Sequence, residues 1–194
     1  MRDENWDVDK IYFTSDLHFF HANILKWASD TRRGIDIHAM NENIVEEWNK
    51  KVTHDGLVYL LGDISWRGVR ETNEILNRLN GTIRLVKGNH DDSNLRSGGI
   101  GKRFEWVKDY HEVKIEGQKL IMMHYPISAW RDKDHGSLHL YGHTHGQQSH
   151  ASSQDDNSLD VGIDNRANGD MQVWSWEEVK SYMRIQKGSN GNQF

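Results

Sequence analysis

Three short apolar runs, each leading to an oxygen-bearing side chain, constrain this chain more than anything else in it. Lys10-Ile11-Tyr12-Phe13-Thr14-Ser15 leads into Asp16, Leu57-Val58-Tyr59-Leu60-Leu61 into Gly62-Asp63, and Thr82-Ile83-Arg84-Leu85-Val86 toward Gly88-Asn89. Their β-branched and aromatic content reads as buried strand. Between the first two runs, Ile37, Met40, Ile44, Val45, Trp48 and Val52 recur at helical spacing, with Asp36 at an N-cap position. A short helix over Ala22 to Ala28 precedes that stretch, and a helix over Arg70 to Leu79 separates the second and third runs. Strands alternating with helices imply parallel strands with crossover helices. In such sheets ligands gather at the carboxyl ends of the strands, where Asp16, Asp63 and Asn89 all fall.

The second half of the chain has a different rhythm. Asp91 to Arg103 is rich in Gly, Ser and Asn and reads as a mobile loop. Short strands then follow over Phe104 to Tyr110, Glu112 to Ile115, Lys119 to Met123, Ser137 to Tyr141, Leu159 to Val161 and Met171 to Trp174, with a hairpin turn at Gly117. His150 to Asn157 reads as a polar loop, and Glu177 to Gln186 as a closing helix. With no repeat and no long linker, residues 1–186 are expected to form one domain and 187–194 a disordered tail.

Composition narrows the chemistry. Cysteine is absent, which removes disulfides and thiolate metal sites together, while the 12 histidines invite a search for ligands. A net charge of −5 with no Lys/Arg block argues against a surface that coats nucleic acid. The charged start, without an apolar signal core, and the lack of a bilayer-length apolar run lead to the expectation of a cytoplasmic protein with no membrane partner. Two pairs, Asp16/His18 and His143/His145, share a two-residue offset. Residues i and i+2 of an extended chain point the same way, so each pair aims two ligand-type side chains at one place.

Five blocks, Asp16-Leu17-His18, Gly62-Asp63 through Gly68, Gly88-Asn89-His90-Asp91, His124, and Gly142-His143-Thr144-His145, resemble in content and order the calcineurin-like metallophosphoesterases. The wording of Phe13 to His21, His124-Tyr125-Pro126, His135 to His143 and Val161 to Asp164 is similar to a small bacterial and phage-type subgroup. The resemblance implies an α/β fold, a four-layer α-β-β-α sandwich of two mixed sheets with flanking helices. It implies two divalent transition-metal ions (Mn, Fe, Zn, Ni or Co, with Mn or Zn favoured). Asp16, His18 and His145 would hold one, Asn89, His124 and His143 the other, and the two oxygens of Asp63 would bridge them. His90 would contact the phosphate and protonate the leaving group. Some relatives orient this His with a carboxylate where Trp66 stands here, which leaves its partner open between Asp91 and none.

The activity so implied is hydrolysis of a phosphomonoester or phosphodiester, with a small nucleotide-type substrate preferred because one domain leaves little room for a polymer-binding module. The rivals are a nuclease acting on DNA or RNA, a protein phosphatase, and a non-enzymatic protein-binding scaffold; His90 speaks against the last. His21, Arg67 and Arg131 are candidate substrate contacts, with Arg32 and Arg33 as weaker ones. Trp66 and Trp130 are candidates to stack a base, though core packing is the commoner role for such residues. His135, His139 and Asp164 are candidates to support the His143 loop, and His38, His54, His111 and His150 are read as ordinary histidines. Nothing in the sequence fixes the oligomeric state.

Overall fold

The computed structural model describes residues 4–96, 99–147, 157–166 and 169–190, the last seven as helical backbone. Among the described residues, nine strands and five α-helices follow one another. They are β1 (Ile11–Thr14), α1 (Ile24–Trp27), α2 (Ile37–Lys51), β2 (Leu57–Leu60), α3 (Val69–Leu76), β3 (Thr82–Val86), α4 (Asp92–Arg96), β4 (Phe104–Lys108), β5 (Tyr110–Ile115), β6 (Gln118–Met123), β7 (Leu138–Tyr141), β8 (Ser158–Asp160), β9 (Trp174–Ser175) and α5 (Trp176–Asn190). One sheet has the order β4-β3-β2-β1-β9, parallel except for β9. The other has the order β5-β6-β7-β8, parallel except for the β5/β6 hairpin. The result is an α/β sandwich of two mixed sheets with flanking helices.

The first sheet is buried on both faces, which is why its strands read as continuous apolar runs. Ile11, Phe13, Leu57 and Tyr59 face the second sheet, meeting Leu120, Met122, Leu138 and Leu140. Tyr12, Val58, Leu60 and Ile83 face the other way, onto Met40, Ile44 and Trp48 of α2 and Ile75 of α3. Asp36 caps α2 by accepting from the Ala39 N–H at 2.8 Å. Arg103 satisfies the carbonyls of Leu76, Leu79 and Gly81 beyond the end of α3.

Several expectations need correction. The stretch expected to be a mobile loop carries α4 and a 3₁₀ turn at Ile100–Arg103, because Ile100 is fully buried and Arg103 is tied to three carbonyls. The strand expected over Phe104 to Tyr110 ends at Lys108, and Tyr110 instead begins the next strand, in the other sheet, the chain crossing over at Asp109. The last strand starts at Trp174 rather than Met171, whose left-handed backbone (φ 54°) cannot continue a ladder. The Glu116-Gly117 turn has positive φ at both residues, the type I′ geometry of a two-residue hairpin. Helix α5 extends to Asn190, into the expected tail, whereas residues 191–194 and nearly all of the polar loop from His150 lie outside the described residues. Among the described residues no helix is long and apolar enough to cross a membrane.

Candidate metal centre

The candidate ligands all lie just past strand ends: Asp16 and His18 after β1, Asp63 after β2, Asn89 after β3, His124 after β6, and His143 and His145 after β7. Their aim comes from backbone that side chains seldom adopt. Asp16, His18, Asp63, His143 and His145 have φ of 56, 47, 56, 71 and 50°. Each left-handed residue costs roughly 1–2 kcal/mol. The extended-chain reason given above for the i, i+2 pairs is therefore corrected: the pairs converge because both members turn left-handed. Packing holds these loops together. A Cβ on Gly88 would lie 2.2 Å from Asp63 Oδ1, and one on Gly142 would lie 2.4 Å from Asp16 Oδ2, so neither loop could approach its neighbour with a larger residue.

The side chains form two adjoining groups, Asp16/His18/His145 and Asp63/His124/His143, with ligand-type atoms within 4.8 Å of one another in each. Asp63 Oδ2 lies 3.6 Å from His18 Nε2 and 3.6 Å from His124 Nε2, so it faces both groups. Its partner oxygen Oδ1 accepts from the His90 N–H at 3.0 Å. Asp16 is divided in the same way. Oδ2 accepts from the Ser15 hydroxyl and the His143 N–H, while buried Oδ1 has no hydrogen-bond partner and stands 3.7 Å from His18 Nε2. Both ring nitrogens of buried His18 also lack a hydrogen-bond partner among the described residues.

The tautomers are set from behind. His124 Nδ1 donates to the Leu61 carbonyl at 2.6 Å, and His145 Nδ1 donates to Asp164 Oδ2 at 2.7 Å. In the neutral rings, each Nε2 lone pair is then turned toward the cluster. His124 Nε2 and Asn89 Oδ1, two acceptors in that state, stand 3.1 Å apart. Ligands about 2.0–2.2 Å from one ion are separated by distances of this order. Orphaned buried acceptors, facing lone pairs and an imidazole/carboxylate donor set fit transition-metal ions.

The residues around these groups act as clamps. Asp91 does not orient His90. Its two oxygens accept the N–H groups of Gly88, Asp63 and Ile64 at 2.8–3.0 Å, tying the β2 and β3 exits together. Asp160 accepts from Thr144, Gly146 and Gly162, which holds the His143/His145 loop. Burial pushes the pKa of both Asp91 and Asp160 up to about 6. Arg32, named above as a weaker candidate for substrate contact, is buried instead. It pairs with Asp164 through Nε (2.7 Å) and Nη2 (2.6 Å) and donates to the carbonyls of Asp16 and Leu17. Burial would raise the pKa of Asp164, but Arg32 and His145 outweigh it and hold the carboxyl at about 2. The role of Asp160 had a sequence signal, a carboxylate at a strand end. Arg32 had none.

The groups open into a cleft of about 720 Å³, lined by His18, Asp63, His90, His143 and His145 and walled by His21, Trp66, Ile24, Trp27, Ala28 and Pro126. His21 stacks on Trp66 with ring centres 4.0 Å apart and planes 9° apart, and Trp66 packs against His90 at 4.2 Å. An aromatic wall thus stands where some relatives place a carboxylate. Burial, reinforced by neighbouring His and Arg charges, pushes His21 down to about 4. Arg67 lines an adjoining groove with Ser93 and Asn94. Arg131 does not join the site, because its exposed side chain is held by Glu112 at 3.0 Å. Trp130 packs on His139, and His139 braces the segment after His124 through Tyr125 and Ile127.

Two mixed sheets carry imidazole and carboxylate groups able to hold metal ions on converging strand exits. The model of the calcineurin-like phosphoesterase superfamily domain matches residues 10–161. An uncharacterized protein of Methanocaldococcus jannaschii is 33% identical over 138 residues, covering 70% of this chain and 69% of that protein. The Gene 66 protein of Mycobacterium phage D29 is 30% identical over 186 residues, covering 81% and 89%. The crystal structure of a protein of unknown function from Aquifex aeolicus shares the fold, with a TM-score of 0.70 at 23% identity over 88% of this chain and 97% of that one. The chain belongs to the calcineurin-like phosphoesterase superfamily.

Proposed function

We propose that this chain hydrolyses a phosphoester of a small nucleotide-type substrate at a pair of divalent transition-metal ions, with Mn or Zn favoured. The observation that carries the reading is the position of Asp63 Oδ2, 3.6 Å from an imidazole nitrogen of each group. Asp16, His18 and His145 would hold one ion, and Asn89, His124 and His143 the other. Asp63 would be shared between the two, its Oδ2 facing both groups while its Oδ1 accepts from His90 N–H. When bound, such a pair supplies a nucleophile from water at neutral pH and offsets the charge that develops on the phosphoryl oxygens.

The chain's own residues do the rest. His90 is exposed to the cleft, its Nε2 3.9 Å from Asp63 Oδ2, where it can hydrogen-bond a phosphoryl oxygen and hand a proton to the leaving oxygen. Trp66 packs against that ring and limits its swing. The Arg32–Asp164 pair holds His145 in the tautomer that presents Nε2.

The test is turnover of bis-p-nitrophenyl phosphate by apo protein reloaded with Mn or Zn. Turnover should appear with metal and vanish with chelator. His90→Ala should retain metal and lose about 10²–10⁴-fold in rate, whereas Asp63→Ala should lose both metal and rate. Turnover indifferent to chelator, or none with any metal, contradicts the proposal.

A further inference from the structure

We infer that the cleft accepts a single phosphate carrying one uncharged planar base, stacked on Trp27, rather than a polyphosphate or a nucleic-acid strand. This rests on the phosphoesterase reading above and names the substrate class of that site.

Three observations carry it. First, Trp27 is 69% exposed, and its one ring contact among the described residues is a T-shaped one with His21 at 5.5 Å. Ile24, Ala28 and Pro126 line the same cleft, so the large indole belongs to an apolar wall that a ligand can cover. Second, ring-to-ring steps of 5.4 and 5.5 Å lead from His18 through His21 to Trp27. His18 and Trp27 thus lie two ring steps apart along one wall, which leaves room for a sugar between a phosphate near His18 and a ring on Trp27, and the cleft volume suits a ligand of nucleotide size.

Third, no Lys or Arg lines this cleft among the described residues. The guanidinium of Arg32 is taken up by Asp164 and two carbonyls, and Arg67 lies beyond Trp66 in the adjoining groove. Asp30 adds a carboxylate to the lining. Away from the metal ligands, a second phosphate would find no Lys or Arg among the described residues and the carboxylate of Asp30, whereas a neutral base would find the Trp27 ring and the polar groups of Asp30 and Gln147 for its edge.

The experiment compares two diesters with the same leaving group, the p-nitrophenyl ester of thymidine monophosphate and methyl p-nitrophenyl phosphate, on metal-loaded protein. The nucleoside ester should have the higher kcat/KM. Trp27→Ala should lower the ratio of the two by about 5- to 150-fold, chiefly through KM, the range seen when a base-stacking ring is removed. Trp27→Phe should restore most of it. Adenosine monophosphate should bind more tightly than adenosine triphosphate in calorimetric titration, and that preference should shrink in Trp27→Ala. A ratio that does not move with Trp27, or tighter binding of the triphosphate or of oligothymidylate, overturns the inference and leaves the phosphoesterase reading standing. No turnover of either diester overturns both.

Discussion

Asp164 shows how much of this site depends on residues that would touch no metal. It receives Arg32, Thr31 and His145 at 2.6–2.7 Å, and through them one carboxylate links the β1 exit to the β7 exit. Asp164→Asn preserves shape but weakens the hold on His145 and leaves the buried Arg32 guanidinium without its counter-charge, so metal affinity should fall about 10–100-fold and urea stability should fall as well, by up to about 3–5 kcal/mol. Calorimetric metal titration checks this; unchanged affinity would remove the assigned role. Arg32→Met strands a buried carboxylate and should cost about 3–5 kcal/mol in urea unfolding. His139 makes a separate claim. Burial, helped by Lys133 and only partly offset by the carbonyls of Ile121 and Tyr125, pushes its pKa down to about 4. An unfolded imidazole titrates near 6.5. Between those values the unfolded chain takes up the proton and the folded chain does not, so stability should fall as pH drops from 6.5 toward 4, by up to about 3 kcal/mol. His139→Asn should make that part of the profile shallower, with His21 and His111, also pushed down to about 4, supplying the remaining slope; an identical slope in the variant would contradict the assignment.

At the scale of elements, the strands act mainly as rulers and the exits do the positioning. Parallel pairing of β1, β2 and β3 puts three exits at one edge, and β6 and β7 bring two more from the second sheet. Left-handed turns at five candidate ligands then point the side chains inward. Such turns persist only where surroundings over-determine them. Here those surroundings are Asp91, Asp160, Gly88 and Gly142. In Gly88→Ala the new methyl would meet Asp63 Oδ1 at 2.2 Å and Asp63 N at 2.5 Å, neither of which is the free end of a flexible chain. The β2 exit must move, so bound metal and turnover should fall far more than the thermal midpoint does. Metal content measured beside a melting curve separates the two, and a variant with full metal would show that the close approach is dispensable.

Across the whole molecule, the parallel half was legible because burial on both faces writes apolar runs and crossover helices write a 3.6-residue period. Asp36, Trp48 and Thr82–Val86 fell where the pattern put them. The second half was less so, since the change of sheet at Asp109 involves no punctuating Pro or Gly. The candidate ligands are named through the family resemblance, which their contiguous motifs carry, and the fold brings their side chains into two adjoining groups. Their left-handed geometry could not be read, because Asp and His at φ > 0 leave no composition signal. Arg32 was misread for a related reason: a buried arginine is recognised by its partner, and Asp164 is distant in sequence. Arg131 was a wrong candidate because only the fold reveals Glu112 beside it.

The central claim is that the carboxylate of Asp63 is shared between two metal ions. Anomalous diffraction from crystals of the Mn-loaded protein, recorded at the Mn edge, tests it most directly. The expected result is two peaks, one beside Asp16, His18 and His145 and one beside Asn89, His124 and His143, with Asp63 between them. A single peak, or two peaks with Asp63 bound to only one, would contradict the account.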